Sequence, residues 1–480
     1  MRRLSAISRV SLFAVSALLV GTLLGVGAVP AFAYAEEGVE EYSAAVEPEI
    51  ASAAAFLIEP TTGTTLLNKD ADARREPAST TKVMTALVVI ENANLDQQVT
   101  VEEGDFAEVT ADSSVAGLIA GETLTVRDLL ACLLLPSGND ASYVLARAVG
   151  GDWQTFVGMM NDRAAELGCT GTHFANPCGL HDDEHYTTAR DLATIFLAAL
   201  EHPEFVEIAG AATWDLPETS QNPARTLENT NLLIDPESPV YMDGAVIAGK
   251  TGTTGDAGRC LVVGAEKDDM SLVGVVLGAD FETADELGIG DNFYDMQAML
   301  EWGFGAWRTG EVVAKGDVVA TADVSLSTDG ETLDAESTDA IVATVPRETT
   351  LEDLTFAPTW EGIEEESGTF QAPIELDQAL GEAMVSLGDR RLGSVGLAAS
   401  RAMELSIPAF VLWWLSDPVH AAIVAVCVVA LFVVIGLVAA SSRRRRSRYK
   451  MAVGKKATGS HAASFRAAGP TRGGGRHVRK

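Results

Sequence analysis

The feature that most limits what this chain can fold into is an apolar run near its carboxyl end. Val419 to Ala440 carries no Asp, Glu, Lys or Arg, and only His420 interrupts its apolar texture. Wound as a helix it covers roughly 30 Å, the thickness of the hydrocarbon layer of a bilayer. A segment apolar all round belongs in a large core or in a membrane, and this one is long enough to span. Trp413 and Trp414 stand before it and Arg443-Arg444-Arg445-Arg446 after it, an interfacial aromatic pair and then a cationic stop. Because the basic flank of a span stays in the cytoplasm, residues 441–480 are expected as a basic cytoplasmic tail, with the rest of the chain across the membrane.

The amino end agrees. Arg2, Arg3 and Arg9 precede an apolar stretch from Val10 to Val29, and Ala31-Phe32-Ala33-Tyr34-Ala35 offers small residues at cleavage spacing. Residues 1–35 are therefore expected as a secretory signal peptide, cut after Ala33 or Ala35. Charge follows the same division, since residues 36–416 hold 18 basic against 67 acidic side chains. That excess excludes general nucleic-acid binding by the exported part, because a phosphate backbone requires the opposite sign. Five cysteines in 480 residues are too few for a disulfide scaffold. The tail, with Gly473-Gly474-Gly475 and no acid after Asp417, is expected to be disordered.

Residues 36–50 are acidic, lack an apolar period and form a linker. From Ala51, Ala54 to Ile58 and Thr64 to Leu67 suggest a hairpin around Gly63. Apolar residues three and four apart predict helices over Val83–Glu91, Thr125–Leu135, Asp140–Ala148, Trp153–Leu167 and Ala189–Glu201. Arg259 to Leu277 alternates like two buried strands. Helices between strands drawn from both ends of a segment imply an α+β fold, an antiparallel sheet closed by the two ends of residues 51–309. After Gly310 the texture changes to short β-rich runs at Glu311–Ala314, Val318–Leu326, Ala340–Val345, Thr369–Ile374, Ala383–Leu387 and Leu392–Leu397. Residues 310–400 are thus expected as a small all-β domain, 401–418 as a linker and 419–440 as the transmembrane helix.

Three short motifs carry chemistry. Pro77-Ala78-Ser79-Thr80-Thr81-Lys82 directly precedes a helical run, which puts Ser79 and Lys82 on one face of its first turns. A serine hydroxyl is a weak nucleophile until a base takes its proton, and a lysine serves as base only where burial and a neighbouring cation keep it neutral. Residues 36–416 contain five lysines, and only Lys82 has a serine three residues before it. The other match, Ser447 with Lys450, falls in the tail. Next, Ser137-Gly138-Asn139 follows an apolar helix and starts the next, presenting a hydroxyl and an amide at the end of a rigid element. Ser220-Gln221-Asn222 has the same pattern in a loop, and Ser137 is preferred for its place between two helices. The third motif is Lys250-Thr251-Gly252-Thr253, before the strand from Arg259. On an edge strand it offers positive charge at Lys250, a donor for a carboxylate at Thr251 and, at Gly252, room for a substrate backbone.

Ser-x-x-Lys, Ser-x-Asn and Lys-Thr-Gly in this order resemble the signature of penicillin-binding proteins and class A β-lactamases. The chain is similar, over about Ala51 to Leu397, to low-molecular-mass penicillin-binding proteins that are serine D-alanyl-D-alanine carboxypeptidases. Ala120-Gly121-Glu122, Asn176-Pro177-Cys178-Gly179-Leu180, Tyr186 to Asp191, Asn229 to Leu233 and Ala257-Gly258 extend the likeness, as do Ala372-Pro373-Ile374 and Leu380-Gly381 in the β-rich part. It departs at the end, where many relatives have an amphipathic helix and this chain has a full span. The resemblance implies a β-lactamase/DD-peptidase-like catalytic domain and an enzyme that removes the terminal D-alanine from peptidoglycan stem peptides and is acylated by β-lactams. It implies Ser79 as acylated nucleophile, Lys82 as proton acceptor and Ser137 as relay to the leaving D-alanine. Asn139 and Lys250 would order the site, Thr251 would hold the terminal carboxylate, and the amides of Ser79 and Thr253 would form the oxyanion hole. A class A β-lactamase would need a Glu-x-x-Leu-Asn loop after the second motif, and none is present. A catalytically inactive module on the same fold is disfavoured by intact Ser79, Lys82 and Lys250.

His181-Asp182-Asp183-Glu184-His185 invites a metal reading, but a polar loop explains it as well and the serine machinery gives a metal or cofactor no task. Cys132 and Cys260 fit as small core residues, while Cys169 and Cys178 bracket a loop and could pair in an oxidising compartment.

Overall fold

In the computed structural model of the chain, residues 46–454 are described, except 112, 282, 283, 285, 365 and 366. The expected signal peptide, residues 36–45 of the linker and residues 455–480 of the tail lie outside the described residues. Two compact units are present. One joins residues up to 320 with 334–361 and 379–400, and the other joins 321–333, 362–378 and the chain from 401 onward.

The first unit opens with the hairpin β1 (Ala54–Glu59) and β2 (Thr64–Lys69), after which a 3-10 turn at Ala78–Thr81 runs straight into α1 (Lys82–Asn92). A short pair, β3 (Gln98–Thr100) and β4 (Thr123–Thr125), leads into α2 (Val126–Leu134), α3 (Asn139–Gly150), α4 (Trp153–Glu166), α5 (Ala189–Leu200) and α6 (Pro203–Ala209). The small hairpin β5 (Thr213–Leu216) and β6 (Arg225–Glu228) follows, then β7 (Val246–Thr254), β8 (Gly258–Lys267), β9 (Met270–Ala279) and α7 (Asp291–Ala306).

The main sheet is antiparallel with strand order β2-β1-β9-β8-β7, so the two ends of the segment meet where Phe56 faces Val275. Alternate side chains of a strand point to opposite faces, and both faces are apolar here. Phe56, Ile58, Val262, Val273 and Val275 join one core with Met84, Leu87, Leu129 and Phe196 of the helices. Leu57, Leu261, Val263, Leu272 and Val276 join a second core with Phe293, Met296, Met299, Leu300 and Phe304 of α7. Every residue of α1 from Lys82 to Val89 is buried, so this helix is the axis of the helical layer. Strand β7 is the sheet's edge, and its Gly252 abuts the 3-10 turn that carries Ser79.

Strands β10 (Trp307–Val313), β11 (Val318–Ser325), β12 (Thr332–Ser337), β13 (Ile341–Pro346), β14 (Thr355–Trp360), β15 (Phe370–Gln371), β16 (Ala379–Leu387) and β17 (Arg390–Ala399) complete the β-rich part. In the first unit β10 pairs with β13, and β16 lies between β14 and β17, which also pairs with β12. Fully buried Glu59 accepts from the hydroxyls of Thr62 at 2.7 Å and Thr344 at 2.9 Å, tying the first hairpin to β13. In the second unit β15 runs parallel to the end of β11, with Val324 opposite Phe370, and Ile374 bridges Met403. Then come α8 (Ile407–Ser416), capped by the Ser406 hydroxyl, and α9 (Pro418–Gly454). Pro418–Arg444 of α9 is long and apolar enough to cross a membrane, at about 40 Å for its 27 residues.

The five helices predicted before residue 201 appear within two residues of their expected ends, as do the hairpin and the strand pair β8–β9. Other elements differ, and helix α6, the β5–β6 hairpin, β12 and β14 are among those not expected. Helix α7 was not expected, the strand expected over Thr369–Ile374 shrinks to Phe370–Gln371, and the segment 401–418 contains the apolar helix α8 instead of linker alone. Cys169 and Cys178 are both free thiols, each buried. Cys169 Sγ lies 3.6 Å from the Asp191 carbonyl, and Cys178 Sγ lies 3.3 Å from Asn176 Oδ1.

Candidate active site

The 3-10 turn presents Ser79 at the start of α1, half-buried, with Lys82 one turn on and fully buried. The Lys82 amine has three oxygen neighbours, Ser79 Oγ at 2.8 Å, Asn139 Oδ1 at 2.7 Å and the Cys178 carbonyl at 2.8 Å. The last two only accept hydrogen bonds. A charged ammonium donates to all three; a neutral amine gives its two hydrogens to the carbonyl oxygens and turns its lone pair toward the serine hydroxyl. Burial favours the neutral form and lowers Lys82 from 10.5 to about 8, against the opposing pull of the Cys178 side and of Asp140. The sequence expectation credited a neighbouring cation as well, but burial is the dominant cause.

Lys250 is likewise buried, at the centre of edge strand β7. Its amine donates to the Thr251 carbonyl at 2.8 Å and stands 3.4 Å from Thr251 Oγ1. Burial, and then the charge of Lys82, press it well below the ordinary lysine value. Thr251 Oγ1 is 2.6 Å from Thr230 Oγ1, whose residue comes from the Asn229-Thr230-Asn231 loop. Gly252 departs from its expected use. A Cβ there would lie 2.9 Å from the Pro77 carbonyl and 3.0 Å from the Ser79 amide nitrogen. Its missing side chain thus lets β7 close onto the turn that carries Ser79.

Ser137 sits between α2 and α3 with φ +63°, a conformation an L-residue seldom adopts. Its hydroxyl is buried and has no hydrogen-bond partner among the described residues. Asn139 begins α3, and its amide donates to the Ser114 carbonyl at 2.8 Å. The decoy triplet is elsewhere: Asn222 Nδ2 bonds the Gly117 carbonyl, and Arg225 pairs with fully buried Glu122 at 2.8 Å, bracing the loop before β4.

The loop at residues 176–180 was noted only as part of the resemblance, yet it supplies the third oxygen on Lys82. Asn176 Oδ1 accepts from the amides of Cys178 at 3.2 Å and Gly179 at 2.7 Å, fixing the turn, and Thr85 Oγ1 donates to the Pro177 carbonyl at 2.7 Å. Gly179 has φ +90°, and a Cβ on it would meet the Ala78 carbonyl oxygen at 1.8 Å. The histidines of the metal-like run part company. His181 is exposed and pairs with Glu76 at 3.0 Å, with Asp256 close enough that one ligand atom from each lies within 4.8 Å of the others. His185 is only 2 % exposed and bonds Thr81.

The architecture agrees with the comparisons. The profile of the D-alanyl-D-alanine carboxypeptidase family matches residues 41–281. A D-alanyl-D-alanine carboxypeptidase of a Streptomyces species is 35 % identical over 279 residues, 55 % of this chain and 91 % of that protein. The D-alanyl-D-alanine carboxypeptidase DacF of Bacillus subtilis is 33 % identical over 312 residues, 64 % of this chain and 75 % of that protein. Penicillin binding protein 5 from Haemophilus influenzae superposes with a TM-score of 0.54 at 25 % identity, covering 75 % of this chain and 99 % of that one. On these matches the chain belongs to the D-alanyl-D-alanine carboxypeptidase family of serine peptidases.

Proposed function

We propose that this D-alanyl-D-alanine carboxypeptidase acts through an acyl-enzyme on Ser79, with residues 51–309 as its catalytic domain. The observation that supports this best is the amine of Lys82, whose two acceptor-only neighbours leave Ser79 Oγ as the one partner its lone pair can face. Lys82 takes the hydroxyl proton as Ser79 Oγ attacks the carbonyl carbon of the penultimate D-alanine of a peptidoglycan stem peptide. The oxyanion that forms is met by the amides of Ser79 and Thr253, fixed donors that need no rearrangement. When the C–N bond breaks, the departing D-alanine nitrogen receives a proton through Ser137 Oγ, and water then hydrolyses the Ser79 ester. Thr251, aligned by Thr230 and Lys250, holds the terminal carboxylate of the substrate, and Asn139 keeps Lys82 in place. A β-lactam follows the same path to the acyl stage but keeps its leaving group tethered, so it persists as an adduct. We also assign residues 419–440 of α9 as a single membrane span with the catalytic domain outside and the arginines from Arg443 in the cytoplasm.

Full-length enzyme in detergent, treated with a fluorescent penicillin and separately with a peptide ending in D-Ala-D-Ala, tests the assignment. Ser79→Ala is expected to abolish both labelling and D-alanine release; a variant that still labels would overturn it.

A further inference from the structure

His185 is a buried, neutral histidine that the reaction as described leaves unused. Its ring packs edge-on against Phe174 at 5.6 Å, and both of its nitrogens have partners. The Ala175 amide stands 3.1 Å from Nδ1. An amide N–H can only donate, so Nδ1 is the bare acceptor and a neutral ring carries its proton on Nε2. Burial keeps the ring neutral, lowering it from 6.5 to about 4. Nε2–H therefore donates to Thr81 Oγ1, 2.8 Å away, and the single Thr81 hydroxyl proton goes to the Ala78 carbonyl at 2.8 Å. The relay runs one way, from the Ala175 amide to the Ala78 carbonyl, with no reversible link.

Its end point matters because Ala78 lies in the left-handed region, φ +48°, immediately before the nucleophile. An alanine stays there only if its surroundings hold it. The Ala78 carbonyl and the Ser79 N–H belong to one planar trans peptide and point in opposite directions. Drawing the carbonyl toward Thr81 and Gly179 on one side thus turns the Ser79 N–H to the other side, where Gly252 of β7 closes in. We propose that His185 is a positioning residue of the oxyanion hole, acting through Thr81 to orient the Ala78–Ser79 peptide. The inference rests on the assignment of Ser79 above.

The test uses the full-length chain and two readouts, the second-order rate of labelling by fluorescent penicillin, and kcat and KM for D-alanine release. His185→Leu fills the space but offers no donor. Losing one oxyanion-hole donor costs about 10²- to 10³-fold, so misaiming one is expected to lower labelling and kcat about 10- to 100-fold, with KM changed by less than about threefold. His185→Gln, which keeps a side-chain N–H for Thr81, is expected to recover at least about a third of the wild-type rate. Thr81→Val should match His185→Leu, and the double variant should be no worse than either alone, because both cut one relay. Should His185→Leu fail to accumulate, Thr81→Val carries the test in a site that keeps its histidine. A full-rate His185→Leu or Thr81→Val, equal losses in Gln and Leu, or losses that multiply in the double variant would overturn the role. Labelling that survives Ser79→Ala would instead undo the nucleophile assignment, a separate result.

Discussion

Lowering the pH from 8 to 6 is expected to slow acylation of the full-length enzyme by penicillin about 50-fold, and the size follows from Lys82. With its amine brought from 10.5 to about 8 by burial, about half is neutral at pH 8, about a tenth at pH 7 and about a hundredth at pH 6. An ordinary lysine would be only about 0.3 % neutral at pH 8 and would keep gaining until about pH 10. The lowering corresponds to about 3 kcal/mol against the charged form, what remains of the desolvation cost after Asp140 and the Cys178 side have offset part of it. The sign for stability is the same. Between pH 8 and 10.5 the unfolded chain holds the proton more tightly, so this lysine's contribution to stability is complete above 10.5 and is lost as the pH falls to about 8. The assay is the second-order rate of fluorescent penicillin labelling from about pH 5.5 to about pH 10.5. Buried Lys250, pressed below the ordinary lysine value by burial and by the charge of Lys82, and exposed His181, raised by its bond to Glu76, are nearby groups whose titration could also shape the limb. His181→Gln should therefore leave the profile in place. A rate flat between pH 6 and 8, a limb still climbing at 10, or one that moves with His181→Gln would refute the reasoning.

Gly252→Ala is expected to lower acylation about 10- to 100-fold, since its Cβ would press on backbone atoms of Pro77, Ser79 and Thr80 at 2.9 to 3.0 Å and push β7 off the nucleophile. Overpacking of that kind costs about 1–3 kcal/mol, so circular dichroism melting should show a folded, somewhat less stable chain, and an unchanged labelling rate would contradict the close approach. Protease added to intact protoplasts should remove the acidic exported part and spare an epitope placed near Arg479; loss of that epitope in sealed cells would reverse the orientation.

What could be read from the sequence was what is local. Helices α1 to α5 announced themselves by apolar residues three and four apart, and the pair β8–β9 by an alternation like that of two buried strands over Arg259 to Leu277. Helix α7 escaped because its signals are weak: Gly290 at its start provides no side-chain cap, and Gly303 and Gly305 near its end are poor helix formers. It is made a helix by packing, with Met296 and Gly303 set against Leu57, Leu272 and Gly274 of the sheet, contacts between segments over two hundred residues apart in the case of Leu57. The β5–β6 hairpin has strands of four residues each, too short for an alternation to stand out.

The site divides along the same line. Ser79 and Lys82 are three residues apart, so helix geometry alone brings them together, and a short motif can record that. The third oxygen on Lys82 is a backbone carbonyl 96 residues away, and a carbonyl has no residue identity for a motif to preserve. Its trace is indirect, in the asparagine and glycine that shape the loop around it: Asn176 because two amides must be tied down, Gly179 because the Ala78 carbonyl occupies the place of a side chain. Gly252 was legible as a glycine but not for its reason, since only the fold reveals that the space it leaves is filled by the nucleophile's own turn. The place of His185 escaped for the same cause, since the run was read as a polar loop. As a pair, two histidines four apart suggest a shared ligand, whereas the chain between them carries one to solvent and the other beneath Thr81. The strained Ala78 and the glycines beside it thus carry as much of the geometry as the polar residues do, because an oxyanion hole made of amides is built by placing backbone, and backbone is placed by what is allowed to approach it.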